Sequence, residues 1–278
     1  MPQFDATAAA VFIPEVWSAK MVVAREANMP MADRVWRWDE DVAGFGDTIH
    51  VPHISKFTAV ATAPDGTVTF QSQTETETSI TLSNQYDVSF RITDRVLKQA
   101  KYNLIKEYTA KAGKGLARQV DSDILGQWSS LSTYASTISA VDAITEDEVL
   151  ASVECLDLSN APEEDRYGAL YPTQKRALLK IDKFVSELYR PGAGQQITKG
   201  RFTMDIHGIE FVVTTLVPTS TTVKNMIWQK DAFALAIQKK VTFEELAKDG
   251  KRRNFSADEI YGFGIPRDDH AVLVPTNR

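Results

Sequence analysis

The chain is poor in cysteine and histidine, short of positive charge, and without long apolar runs. Its 278 residues include one cysteine, Cys155, and four histidines. A lone thiol excludes an internal disulfide and fits a reducing compartment, and on a helix face it is more often a small buried hydrophobe than a nucleophile. No stretch approaches the ~20 apolar residues that span a bilayer, and the N-terminus has no basic region followed by an apolar one. A soluble protein made in the cytosol, with no membrane partner, is therefore expected. The formal net charge of −6 argues against a dedicated nucleic-acid binder. Lys251-Arg252-Arg253 is a weak phosphate signal.

Motifs for chemistry are absent too. There is no nucleophile elbow, phosphate-binding loop, H-E-x-x-H or C-x-x-C. His50 and His53, three apart on a strand, point to opposite faces and make no metal pair. His207 beside a glycine and His270 at a strand start read as solvated or capping residues. Asp121 and Asp123 are two apart on a helix and do not face each other. Glu75 and Glu77 share a strand face, but on an exposed polar limb. Gly192-Ala193-Gly194 lacks the rest of a dinucleotide fingerprint. Asp39-Glu40-Asp41 reads as a solvated turn in place of a cation site. The expectation is a protein without catalytic residues, cofactor or metal.

What is present is pattern. From Thr93 to Trp128, apolar residues recur every fourth position: Ala100, Leu104, Tyr108, Ala112, Leu116, Val120, Ile124 and Trp128. Thr93 or Asp94 is a plausible N-cap, and Gly113 and Gly115 are weak points where a bend is allowed. One helix over this span would be roughly 50 Å long, a spine for the molecule. Before it, Ile80 to Ile92 alternates as one long strand, with Tyr86, Val88, Phe90 and Ile92 on one side and Gln85, Asp87, Ser89 and Arg91 on the other.

The first forty-six residues read as an arm, with a short helix opening at Pro14, carrying Trp17, and a short strand where Trp36 and Trp38 alternate with Arg37, entering a turn at Gly44 and Gly46. Residues 47–92 form a strand-rich excursion. Asp47 to Ile54 is an edge strand because of Pro52, and the following stretch turns at Pro64-Asp65-Gly66. Beyond Phe70 the limb is almost purely polar. It cannot bury a core of its own, and an isolated ribbon is marginal in water, so it is expected to lie on another chain. After the spine, Thr145 to Glu148 is a capping box. Tyr167 to Tyr171 is a strand, Pro172 starts a helix, and Arg201 to Val217 makes two strands turning at His207-Gly208. Met226 to Trp228 is a strand followed by a helix over Asp231 to Gln238. The last strand, His270 to Val274, is expected to rejoin the spine. Together these elements predict a compact α+β architecture.

In their order, FIPEVWSAK, GDTIHVP, EYTAKAGKGLARQVDSDILG, GALYPTQKRALLK, IWQKDAFALAIQKK and YGFGIPRDDHAVLVP resemble the major capsid proteins of tailed bacteriophages, with the Hong Kong 97 type of shell fold. The resemblance covers nearly the whole chain. It implies an N-terminal arm over 1–46 and an extended β-hairpin loop over 47–92, lying across a neighbouring subunit. It further implies a spine helix and peripheral domain over 93–159, an axial domain over 160–243 and a return to the peripheral domain over 244–278. It implies self-assembly into hexamers and pentamers of an icosahedral head shell around double-stranded DNA, which is contacted nonspecifically. A separate scaffolding protein and a portal are the implied helpers, with no proteolytic maturation. An encapsulin-like compartment of the same fold is the alternative. Phe57, Val60, Val68 and Phe70 are expected to anchor the loop tip, with Trp17 fixing it from the neighbour.

Overall fold

The computed structural model describes residues 31–42, 46–55, 57–61, 66, 70–72, 75–100, 103–131, 142–181 and 204–277. The arm helix with Trp17, the turn residues Pro64 and Asp65, Val68 and the Gly192–Gly194 stretch lie outside them.

The strands are β1 (Trp36–Arg37), β2 (Thr48–His53), β3 (Thr76–Thr81), β4 (Asn84–Thr93), β5 (Arg166–Leu170), β6 (Met204–Ile206), β7 (Ile209–Val213), β8 (Val223–Gln229), β9 (Ala234–Asp249), β10 (Arg252–Gly264) and β11 (Ala271–Thr276). The helices are α1 (Asp94–Gln99), α2 (Leu104–Gly126), α3 (Glu146–Leu158) and α4 (Pro172–Leu178). One sheet has the order β1-β9-β10-β4 and a second the order β11-β8-β5-β7-β6, while β2 and β3 form a two-stranded ribbon.

The strict alternation of β4 is realised. Tyr86, Val88 and Phe90 are partly covered and Ile92 is buried, whereas Gln85, Asp87, Ser89 and Arg91 are exposed. Ile80 to Ile92 is nevertheless two strands: the chain breaks at Leu82-Ser83, so β3 pairs with β2 and β4 with β10. The spine also differs from its expected length. Thr93 does precede α1, but Ala100 is extended (φ −71, ψ 134), and α2 starts afresh after Asn103, whose side chain accepts the Lys106 N–H. The Asn103 cap offered the chain a local reason to restart that the apolar stripe did not reveal. Gly113 and Gly115 lie inside α2, so the break falls ahead of them, and the helix of 23 residues is about 35 Å long. α3 begins with the predicted box: the Thr145 N–H donates to the Glu148 carboxylate at 2.8 Å. β6 and β7 turn at His207 (φ 51) and Gly208 (φ 77), the left-handed pair that a two-residue hairpin requires.

The predicted helix over Asp231 to Gln238 is instead the start of β9. Leu235 packs in the core shared with the spine, while Ala234 and Ala236 pack on the opposite side against Trp38 and Ile49. With both faces covered, strand pairing to β1 and β10 overrides the helical propensity of this alanine-rich run. β11 likewise has two covered faces. Ala271 and Leu273 share the core of Val120, Ile124 and Leu125 of the spine, and Val272 and Val274 pack with α3 and α4 residues such as Leu156 and Leu178. It thus reaches the spine with one face while its hydrogen bonds go to β8. His270, expected to be a solvated or capping residue, is not solvated: it is buried in the turn just before this strand.

Candidate assembly surface

The β2–β3 ribbon is clamped at its root and bare towards its tip. At the root, Val51, Ile80 and Leu82 are buried, and the Leu82 N–H donates to the Asp47 carbonyl at 2.8 Å. The clamp needs glycine on β10. A Cβ at Gly262 would lie 2.5 Å from the Thr81 carbonyl oxygen, and one at Gly264 2.8 Å from Ile80 Cγ1. Bare backbone at these positions lets the ribbon cross β10 at close range. Further out, His53 Nε2 meets Thr78 Oγ1 at 2.9 Å, and His50 Nδ1 lies 3.3 Å from the Glu77 carboxylate. The two histidines therefore have separate partners.

Among the described residues beyond His53, no strand ladder joins the legs of the limb. The Gln71 side-chain amide spans them: its oxygen accepts the Thr58 N–H at 3.1 Å and its nitrogen donates to the Thr58 carbonyl. On these legs Phe57 is 70% exposed, Val60 56% and Phe70 91%. Apolar side chains are thus left in water at this level, with no buried apolar cluster formed by the described residues of these legs. Of the expected tip anchors, these three share the limb, while Val68 and Trp17 fall outside the described residues.

The spine carries two carboxylates whose positions the sequence left unread. Asp121 is buried, and its Oδ2 and Oδ1 accept the N–H groups of Met31 and Ala32 at 3.1 and 3.2 Å. Burial raises its pKa to about 6, against those two hydrogen bonds. Asp123 looks elsewhere, accepting the Tyr261 hydroxyl at 2.5 Å and the Gln119 amide at 2.8 Å. Burial, then the Asp123 bond, pushes the Tyr261 phenol far up, and the Tyr86 ring stacks on it at 5.8 Å. Apart from Gln119, the partners of these acids lie 89 to 138 positions away, so no local pattern flags what they hold. The Asp39-Glu40-Asp41 turn is only partly solvated. Asp39 pairs with Arg37 at 2.5 Å and accepts the Ile237 N–H at 2.9 Å, stitching the turn to β9. Among the described residues, no group of three or more His, Cys, Asp or Glu side chains is placed to hold a metal.

No protein-family model matches this chain, and no curated protein does. Solved structures do. The chain is similar to a structure from Mycobacterium phage Che8, with a TM-score of 0.76 and 19% identity over 95% of this chain and 97% of that one. It is similar to the capsid of cyanophage P-SCSP1u, with a TM-score of 0.79 and 15% identity over 98% and 94%. The cyanophage Pam1 capsid aligns at 0.77 and 11% over 100% and 99%. At such identities the likeness is one of backbone path. With both chains covered almost end to end, the arrangement of ribbon, spine and two sheets is the shell fold of phage capsid subunits.

Proposed function

We propose that this chain is the major capsid protein of a tailed phage, a coat subunit and not an enzyme. It assembles with its own copies into hexamers and pentamers of an icosahedral head shell enclosing double-stranded DNA. The observation that carries this proposal is the limb, where Phe57, Val60 and Phe70 stand in solvent on legs bridged by the Gln71 side-chain amide. Laid across a neighbouring copy, such a limb gains apolar burial and main-chain pairing that it lacks alone. The contact is heterologous, so every subunit both gives and receives it, and the series closes into rings and shells. The fold shared with phage capsids supports the same function.

On this proposal residues 1–46 are the N-terminal arm and 47–92 the extended loop. Residues 93–159 and 244–278 make the peripheral domain, and 160–243 the axial domain that meets its copies around the symmetry axes. Val68 and, from the neighbour, Trp17 complete the contact of Phe57, Val60 and Phe70. A separate scaffolding protein and a portal assist assembly in the host bacterial cytoplasm, the virion is the destination, and packaged DNA is met without sequence preference.

Negative-stain electron microscopy of the purified protein, alone and co-expressed with its neighbouring genes, tests this. Shells tens of nanometres wide, or free hexamers and pentamers, are expected. A monodisperse monomer or dimer under both conditions would overturn the proposal. DNA inside the particles, as against a cargo enzyme, separates a phage head from an encapsulin-like compartment.

A further inference from the structure

The root of the N-terminal arm is held to the body by a carboxylate whose two oxygens are both committed to it. Met31 and Val35 are fully buried in the core that includes Val120, Ile124, Leu125 and Trp228. From Trp36 onward the chain is fixed by ordinary means, with the Trp36 and Trp38 N–H groups donating to the carbonyls of Phe233 and Leu235 at 2.9 Å. The Trp228 indole adds a bond to the Arg34 carbonyl at 3.0 Å. Ahead of that, Met31 and Ala32 offer consecutive N–H groups that neither helix nor strand engages, and Asp121 receives both. A buried donor left without an acceptor is costly, so docking of the turn at residues 31–34 depends on this side chain.

We propose that Asp121 is a buried clasp on the root of the N-terminal arm, and that docking of residues 31–34 is coupled to uptake of a proton at its carboxyl. Docking removes the carboxyl from water, which penalises its charged form. The charged groups that face it are on the docked segment: Asp33, which favours the protonated form, and Arg34, which opposes it. Ile124 and Leu125 on its own helix, Val223 and Met226 of β8 and Leu273 of β11, which pack in the same core, carry no charge. Undocked and wet, the carboxyl returns towards its ordinary pKa of 3.8, whereas docked it titrates at about 6. A pKa raised by docking means that docking is favoured below it and that the advantage is lost as pH rises through about 6. Mild acid therefore tightens the clasp, and neutral pH loosens it.

Hydrogen exchange of the full-length protein, read by mass spectrometry on peptides covering residues 31–38 and corrected for intrinsic rates, tests this between pH 5.5 and 7.5. The two pKa values make protection of this segment about four-fold greater at pH 5.5 than at pH 7.5. In Asp121→Asn, which keeps one acceptor and has no proton to exchange, protection should be lower at both pH values and equal between them. A flat or inverted profile in the unmodified protein overturns the proposal, as does a four-fold rise retained in Asp121→Asn. Should that variant fail to fold, the profile of the unmodified protein decides the matter alone.

Discussion

At Tyr261 a phenol sits wholly out of water and donates to a carboxylate on the spine, so a strand and a helix are joined by one short bond. Tyr261→Phe keeps the ring, and with it the stacking on Tyr86, but removes the donor. A hydrogen bond to a charged group is worth about 1.5–3 kcal/mol, and Asp123 retains Gln119 as a partner, so a loss of about 2 kcal/mol is expected in urea unfolding with an unchanged m-value. No change in midpoint would mean that water replaces the phenol without cost. Gly262 fails differently under substitution. Gly262→Ala places a methyl 2.5 Å from the Thr81 carbonyl oxygen, which is backbone and cannot step aside. Overpacking of this kind costs about 1–3 kcal/mol, and the ribbon root should lose hydrogen-exchange protection before the remainder of the fold does. Protection at Ile80 and Thr81 equal to that of the unmodified protein would show that the ribbon does not depend on the glycine slot.

Among the elements, what could be read from the sequence is what local chemistry settles. The wet-and-dry alternation of β4, the Thr145 box that opens α3, Pro172 at the start of α4 and the His207-Gly208 turn all depend on neighbours within a few positions. The elements that came out differently are those settled from a distance. β9 begins as a strand because Trp36 pairs with Ala234 and the ribbon packs on its alanines, partners about 150 to 200 positions away. The spine stripe ran through Ala100 because apolar spacing is blind to a restart capped by one asparagine. The limb was more legible than the clasp for the same reason: the polar run beyond Phe70 declares that it has no core of its own to bury, whereas Asp121 is ordinary until residues 31 and 32 are seen above it. The limb also carries its own prediction. Phe70→Asp puts a charge at the most exposed of the three anchors, where the isolated subunit gains or loses little. Far-UV circular dichroism should be unchanged while sedimentation shows that shells no longer form. Normal shells from this variant would remove Phe70 from the contact.

For the whole molecule, one core crosses between the sheets. Ala169, Met226 and Trp228 of the five-stranded sheet pack with Leu235 and Tyr261 of the four-stranded one and with Val120 and Ile124 of the spine. Trp228 lies centrally, its ring 6.0 Å from Phe233 and 6.2 Å from Tyr167. Calorimetry of the unassembled subunit should therefore give a single transition, with calorimetric and van't Hoff enthalpies equal. Two resolved transitions would show that the sheets melt separately despite the shared core.

The ribbon continues through Leu82 and Ser83 directly into β4, and β4 lies against β10 in unbroken register from Asn84 opposite Tyr261 to Thr93 opposite Arg252. In the proposed contact, a pull on the limb directed along β4 enters the chain through this ladder. It loads that row of bonds together in shear, where a pull across the strand would peel them one after another. Strain from a filling shell would pass from limb to β4 to β10, and through Tyr261 and Asp123 into the spine. For such a pull, the join of ribbon, β4 and β10 acts as a lap joint.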